Sequence, residues 1–145
     1  MTRVVLDLNV IISALISPTG SPGKVWASWT DATTFVLVMS EGMLLELAGK
    51  LSSPRISHRY GLRPDDALAV NALLWTGSAM VAVDHREVPA VTGDPEDDLV
   101  LATAHLGGAA YLVTGDRRLL ALGQYEQVAI ISPRDFLTIL EQQDR

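Results

Sequence analysis

Apolar residues fall along the chain in two alternating patterns. Short unbroken runs, rich in β-branched residues, occur at 4–6, 35–39, 80–83, 110–114 and 128–131. Such runs predict strands buried on both faces of a sheet. Between them the apolar positions take helical spacing. Val10 to Leu15 predicts a helix straight after the first strand, and Val25, Trp26 and Trp29 a short second one. Met43, Leu44, Leu47 and Leu51 predict a third, with Ser40 as N-cap and Ser52-Ser53-Pro54 as its stop. Leu68, Leu73 and Leu74 predict a fourth, opened by Pro64-Asp65-Asp66 and running towards Gly77. Leu99 to Ala104 predicts a fifth, after an acidic linker from Asp84 to Asp98. Ser132-Pro133-Arg134-Asp135 opens a last helix, with Phe136, Ile139 and Leu140 turned inward. Strands alternating with helices predict one α/β domain over residues 1–145, its sheet mainly parallel and flanked by helices.

Composition narrows the chemistry. The chain of 145 residues is 48% hydrophobic and 19% charged, which suits a folded core rather than disorder. It has no cysteine, so disulfides, thiolate zinc sites and a cysteine nucleophile are excluded. No apolar run approaches the roughly 20 residues that span a bilayer. No signal peptide is recognisable at the start. The expectation is a cytoplasmic protein. Net charge is −6, which weighs mildly against a nucleic-acid binder, although bound divalent cations reverse such a field locally.

Acidic residues recur at one kind of place. Asp7 ends the first strand, Asp116 follows the fourth and Asp98 opens a helix. In a parallel sheet these positions share the carboxyl edge. Glu46, between Leu45 and Leu47, is the fourth candidate and borders an apolar helix face. Four carboxylates with no cysteine and few histidines suit a hard cation, Mg²⁺ or Mn²⁺. The chemistry such a site serves is phosphodiester hydrolysis by metal-activated water.

The pieces Val4-Val5-Leu6-Asp7-Leu8-Asn9, Ser40 to Leu47 with Glu46, Asp98-Leu99-Val100-Leu101-Ala102 and Leu112-Val113-Thr114-Gly115-Asp116 resemble a PIN domain. The likeness is to the ribonuclease toxins of toxin–antitoxin pairs, the VapC-like proteins, and Asp116 follows Asp98 by a fitting 18 positions. The resemblance implies a three-layer sandwich, RNA cleavage dependent on Mg²⁺ or Mn²⁺, and Asp7, Glu46, Asp98 and Asp116 as catalytic, metal-binding residues. It further implies a small antitoxin partner and a homodimer. Two positions depart from the pattern: Leu8 stands where threonine is usual, and Arg118 where many relatives carry a further acid.

Each candidate has a plainer reading. Asp7 and Asn9 could be helix caps. Glu46 could pair with Lys50 one turn on. Asp97 competes with Asp98 for one role; the interval to Asp116 favours Asp98, with Asp97 acting through water. Ser13 and Thr114 are hydroxyls able to orient the carboxylates, or to bond their own backbone. Arg55, Arg59 and Arg63, beside His58, form the one dense basic segment, either gripping RNA phosphates or forming a solvated face. Trp26, Trp29 and Trp75 read as core or interface residues. Two rival functions remain: a binding module on a degenerate PIN fold, favoured by Leu8 and Arg118, and a phosphatase using Asp7 as nucleophile. The phosphatase ranks low, because neither Lys24 nor Lys50 follows a later buried strand.

Overall fold

Strand β1 (Arg3–Leu6) runs through the middle of the molecule, and Val4, Val5 and Leu6 are fully buried. A computed structural model describes residues 1–143. On one side β1 pairs in parallel with β2 (Val36–Ser40), which pairs with β3 (Ala79–Val81). On the other it pairs in parallel with β4 (Tyr111–Val113), then comes β6 (Val128–Ile131). The edge strand β5 (Gln124–Tyr125) is antiparallel to β6. The order β3-β2-β1-β4-β6-β5 makes a six-stranded, mainly parallel sheet inside a three-layer α/β sandwich.

Among the described residues eight helices flank the sheet: α1 (Leu8–Ile16), α2 (Ser21–Thr30), α3 (Glu41–Ser52), α4 (Pro54–Tyr60), α5 (Pro64–Gly77), α6 (Pro95–Leu106), α7 (Arg117–Leu122) and α8 (Pro133–Gln143). Helix α1 packs on α2 and α2 on α8; α3 packs on α5, and α6 lies across β1, β2 and β4. Ser40 caps α3 as expected, its Oγ accepting from the Met43 N–H at 3.5 Å. The same hydroxyl meets Thr103 Oγ1 at 2.8 Å and ties α3 to α6 inside the core. Phe35 and Phe136 meet edge to face, with centroids 5.2 Å apart, and so lock α8 to the sheet.

The structure corrects several expectations. Helix α6 starts at Pro95, not Leu99, because Asp94 Oδ1 accepts from the Glu96 N–H at 2.9 Å and caps it. The supposed linker thus ends four residues early, and it also holds a 3-10 turn, His85–Glu87. Of the basic segment, Arg55, His58 and Arg59 lie in α4, and Arg63 is the N-cap residue of α5. Strand β3 stops at Val81, so Ala82 and Val83 lie outside it. In α5, Leu74 is buried, but Leu68 and Leu73 are 67% and 42% exposed. That helix packs on α3 along one stripe and carries leucine beyond it. Trp29 is buried against Trp26, whereas Trp75 is exposed. No helix among the described residues is long and apolar enough to cross a membrane.

Candidate active site

From β1 the chain moves outward to β2 and β3, while β4 and β6 lie on the opposite side. Connections therefore diverge at the carboxyl ends of β1 and β4, where an open α/β sheet leaves a crevice. Asp7 is the first residue past β1. Its N–H donates to the Val113 carbonyl at 2.9 Å and carries the ladder one step beyond the strand. It occupies the N-cap position of α1, yet its carboxylate makes no cap hydrogen bond. Oδ2 instead accepts from the buried Thr114 hydroxyl at 2.7 Å. Thr114 Oγ1 in turn accepts from the Asp116 N–H at 3.0 Å. One hydroxyl thus joins the ends of two neighbouring strands.

Burial pushes the Asp7 carboxyl above its ordinary pKa. The Thr114 hydroxyl and the Leu8 N–H pull it back, and the charges of Glu96 and Asp116 add to the rise. Asp116 is half-buried and caps α7, its Oδ1 accepting from the N–H groups of Arg118 at 2.8 Å and Leu119 at 3.3 Å. Arg117 and Arg118 form the first turn of that helix.

The two adjacent acids of α6 part company. Asp97 is buried with no hydrogen-bond partner among the described residues. Desolvation first, then the charges of Asp94, Asp7, Asp116 and Glu96, push its carboxyl up to about 6. Asp98 Oδ1 accepts from the Thr92 N–H at 2.9 Å, the Thr92 hydroxyl at 2.9 Å and the Val91 N–H at 3.2 Å. Successive helical side chains point about 100° apart, so the two acids cannot face one way. The structure places Asp97 with Asp7 and Asp116, and gives Asp98 to the loop before α6. Asp98, which the interval to Asp116 favours, is thus taken up by the loop, whereas Asp97 feels the charges of Asp7 and Asp116.

Glu46 is exposed in mid-α3 rather than set against the apolar face. It does not pair with Lys50, whose Nζ reaches Glu96 Oε1 at 3.1 Å. It lines an open cleft of about 640 Å³ with Asn9, Lys50, Arg55 and Arg59. Asn9 also borders a smaller cleft of about 280 Å³, shared with Ser13 and Asp116. Asn9 therefore stands between Glu46 and Asp116. Arg63 and His58 line a separate cleft with Leu62 and Pro64. The basic segment is thus divided: Arg55 and Arg59 face the Glu46 cleft and Arg63 does not.

Glu96 falls within the stretch read from sequence as an acidic linker, although its charge acts on Asp7. Asp94-Pro95, a cap followed by proline at N1, is the signal that would have placed it in a helix. Among the described residues no three histidine, aspartate or glutamate side chains gather closely enough to hold a metal ion. The donors are nonetheless of one chemistry, hard oxygen, and the Asp97 carboxylate, which makes no side-chain hydrogen bond among the described residues, is open to the solvent. Leu8 is fully buried in the core and Arg118 is exposed on α7.

Like-charged oxygen donors at the switch point of a mainly parallel sheet define an α/β protein with an acidic edge site. The chain belongs to the PIN domain family, whose model matches residues 3–118. It is 30% identical over 120 residues to the uncharacterized protein MJ1680 of Methanocaldococcus jannaschii, covering 83% of this chain and 74% of that protein. It also resembles the crystal structure of FitAcB from Neisseria gonorrhoeae, with a TM-score of 0.53 and 17% identity. That likeness covers 90% of this chain and 98% of the other, and it is a likeness of fold.

Proposed function

We propose that the protein is a metal-dependent endoribonuclease, the toxin of a toxin–antitoxin pair, acting in the cytoplasm. The observation that carries this is the carboxylate cluster at the switch point of a PIN-family chain: Asp7 and Asp116 joined by Thr114, with Asp97 beside them. PIN domains are generally nucleases. Asp7, Asp97 and Asp116 would hold the ion, with Glu46 as the further carboxylate, lining the larger cleft beside Asn9. A bound Mg²⁺ or Mn²⁺ supplies an activated water and offsets charge on the phosphate. Thr114 fixes the orientation of Asp7. Without the ion, burial and the neighbouring acids push the Asp97 carboxyl up to about 6, and a bound cation would offset that crowding. Asn9 and Ser13 offer neutral hydrogen-bonding groups beside Asp116. Asp98 supports the site by holding the loop before α6. RNA is the substrate, and a small antitoxin and a second copy of the chain are the partners that the family resemblance supports.

Cleavage of labelled RNA with Mn²⁺, stopped by EDTA and lost in Asp7→Asn and Asp97→Asn, is the expected result. Asp7→Asn also removes one charge from a crowded cluster. With EDTA it should melt at or above the wild-type temperature, as few changes at a semi-buried polar site do. At tenfold excess of Mn²⁺ over its dissociation constant the wild type should gain about 1.4 kcal/mol and the variant much less. An equal metal response in the two would remove Asp7 from the ligand set. A second reading, a binding module, is favoured by the absence of a closed three-ligand group among the described residues. Failure to cut a broad RNA panel in Mn²⁺ would select it.

A further inference from the structure

The cleft beside the acid cluster has features that metal chemistry does not use. Tyr60, the last residue of α4, lies on its wall and is 45% exposed. The Arg59 guanidinium lies over the Tyr60 ring, 5.5 Å from its centroid. Arg55 and Arg59 form no ion pair among the described residues, so their charge is available to an anion. Lys50, on the same wall, is held by Glu96, whose charge acts on Asp7. The wall therefore leads from an aromatic and cationic platform to the acidic edge. Gly49 opens the space between: a Cβ built there meets nothing within 4 Å.

We propose that this cleft is a subsite for a single-stranded polynucleotide, one base stacking on the Tyr60–Arg59 platform and neighbouring phosphates lying against Arg55 and Arg59. Stacking on an exposed aromatic ring needs an unpaired base, because a base inside a duplex has both faces covered. Two guanidiniums beside that ring, neither engaged by a carboxylate, supply the sequence-independent grip on phosphate. Glu46 on the rim would repel a strand lying across it, so the path runs along α4 and Lys50 instead. The inference rests on the nuclease reading only for the direction in which the strand continues, towards Asp7. The chemistry is shared by RNA and single-stranded DNA.

The test is binding without metal, read by fluorescence anisotropy of a labelled RNA about ten nucleotides long in EDTA. DNA of the same sequence and the matching duplex serve as the other arms. The wild type should bind the single strands and bind the duplex more weakly. Tyr60→Ala should weaken single-strand binding about tenfold, and Tyr60→Phe should restore it. Arg55→Gln with Arg59→Gln should lower the salt slope by about 0.7 for each phosphate no longer neutralised, and Arg63→Gln should leave it alone. Gly49→Leu removes no charge and replaces a helical glycine, so it should melt no lower than wild type. Its side chain fills the cleft, and it should nonetheless bind RNA less tightly. Tighter binding of DNA than of RNA would uphold the subsite and count against RNA as the substrate. Equal binding of duplex, or wild-type affinity in both Tyr60→Ala and Gly49→Leu, would overturn the subsite even if metal-dependent cleavage were found. Binding that follows this pattern without any cleavage would uphold the subsite and sink the nuclease reading.

Discussion

Thr114 serves two carboxylate residues with one oxygen. Its hydroxyl donates to Asp7 and accepts from the Asp116 N–H, and it is fully buried. Thr114→Val keeps the shape and deletes both bonds, leaving a buried carboxylate oxygen and an amide without their partner. The expected loss is about 1–3 kcal/mol in urea denaturation, with Thr114→Ser losing much less. Asp97 makes a different prediction. Its native pKa of about 6 lies above the roughly 3.9 of an unfolded aspartate. Between those values the native state binds more protons than the unfolded one, so stability falls as pH rises through the window. Below about pH 4 the penalty vanishes, and above about pH 6 it is fully felt. With allowance for solvent at the cleft edge, the penalty is on the order of 1 kcal/mol. Melting in EDTA from pH 4 to 7 should show the decline, and Asp97→Asn should flatten it. The choice between Asp97 and Asp98 was not legible in the sequence. Spacing to Asp116 locates the pair, but which acid faces the site depends on the rotational phase of α6, which only its true start fixes.

At the scale of elements, short pieces escaped a reading based on apolar pattern. Helix α4 has no buried residue, α7 buries Leu119 alone, and β5 has two residues with no apolar run. Each is set by its ends: proline after a cap for α4, the Asp116 cap for α7, and for β5 a tight turn with Glu126 at a φ of +51°. The long elements were legible because burial imposes a period on them: β1, β2 and α3 declare themselves by their apolar residues. The alternative Glu46–Lys50 pair is absent for a related reason, since Lys50 reaches an acid of α6 instead of its own helix neighbour. The tether from α6 to the preceding loop is testable here. Asp98→Ala should raise amide exchange at Val91 and Thr92 and cost about 1–3 kcal/mol, because it strips three hydrogen bonds from one oxygen. Asp97→Ala should leave exchange in that loop unchanged. Loosening of the loop by both variants alike would contradict the division of labour between the two acids.

On the scale of the whole molecule, the PIN resemblance implied three layers, and alternation of strands and helices was enough to give a mainly parallel sheet flanked by helices. It could not give the strand order, since register and neighbours depend on crossovers that leave no mark in any one segment. Nor could it show that α5 keeps leucine on its outer side. The order matters because it sets Asp7 beside Thr114, residues 107 positions apart in sequence. The site lies between two strands at the centre of the sheet, so no local fluctuation can open it while the sheet survives. Amides of Asp7 and Thr114 should exchange at the rate of global unfolding, and those of α4, which buries nothing fully, much sooner. Protection as weak at Asp7 as in α4 would show the edge to be loose.

The same placement bears on when the proposed site could first be complete. During synthesis Asp7 leaves the ribosome early, but the strand that supplies Thr114 and the acid after it follows more than a hundred residues later. Until then β1 lacks one of its two neighbours, and Asp7 has neither the hydroxyl that aims it nor its companion charge. On the proposed mechanism the nascent polypeptide would lack a complete site, and so would any fragment cut before β4. On the proposed toxin reading, a harmful activity would be withheld until β4 has been made and paired, which would leave time for an inhibitor made alongside it to be waiting.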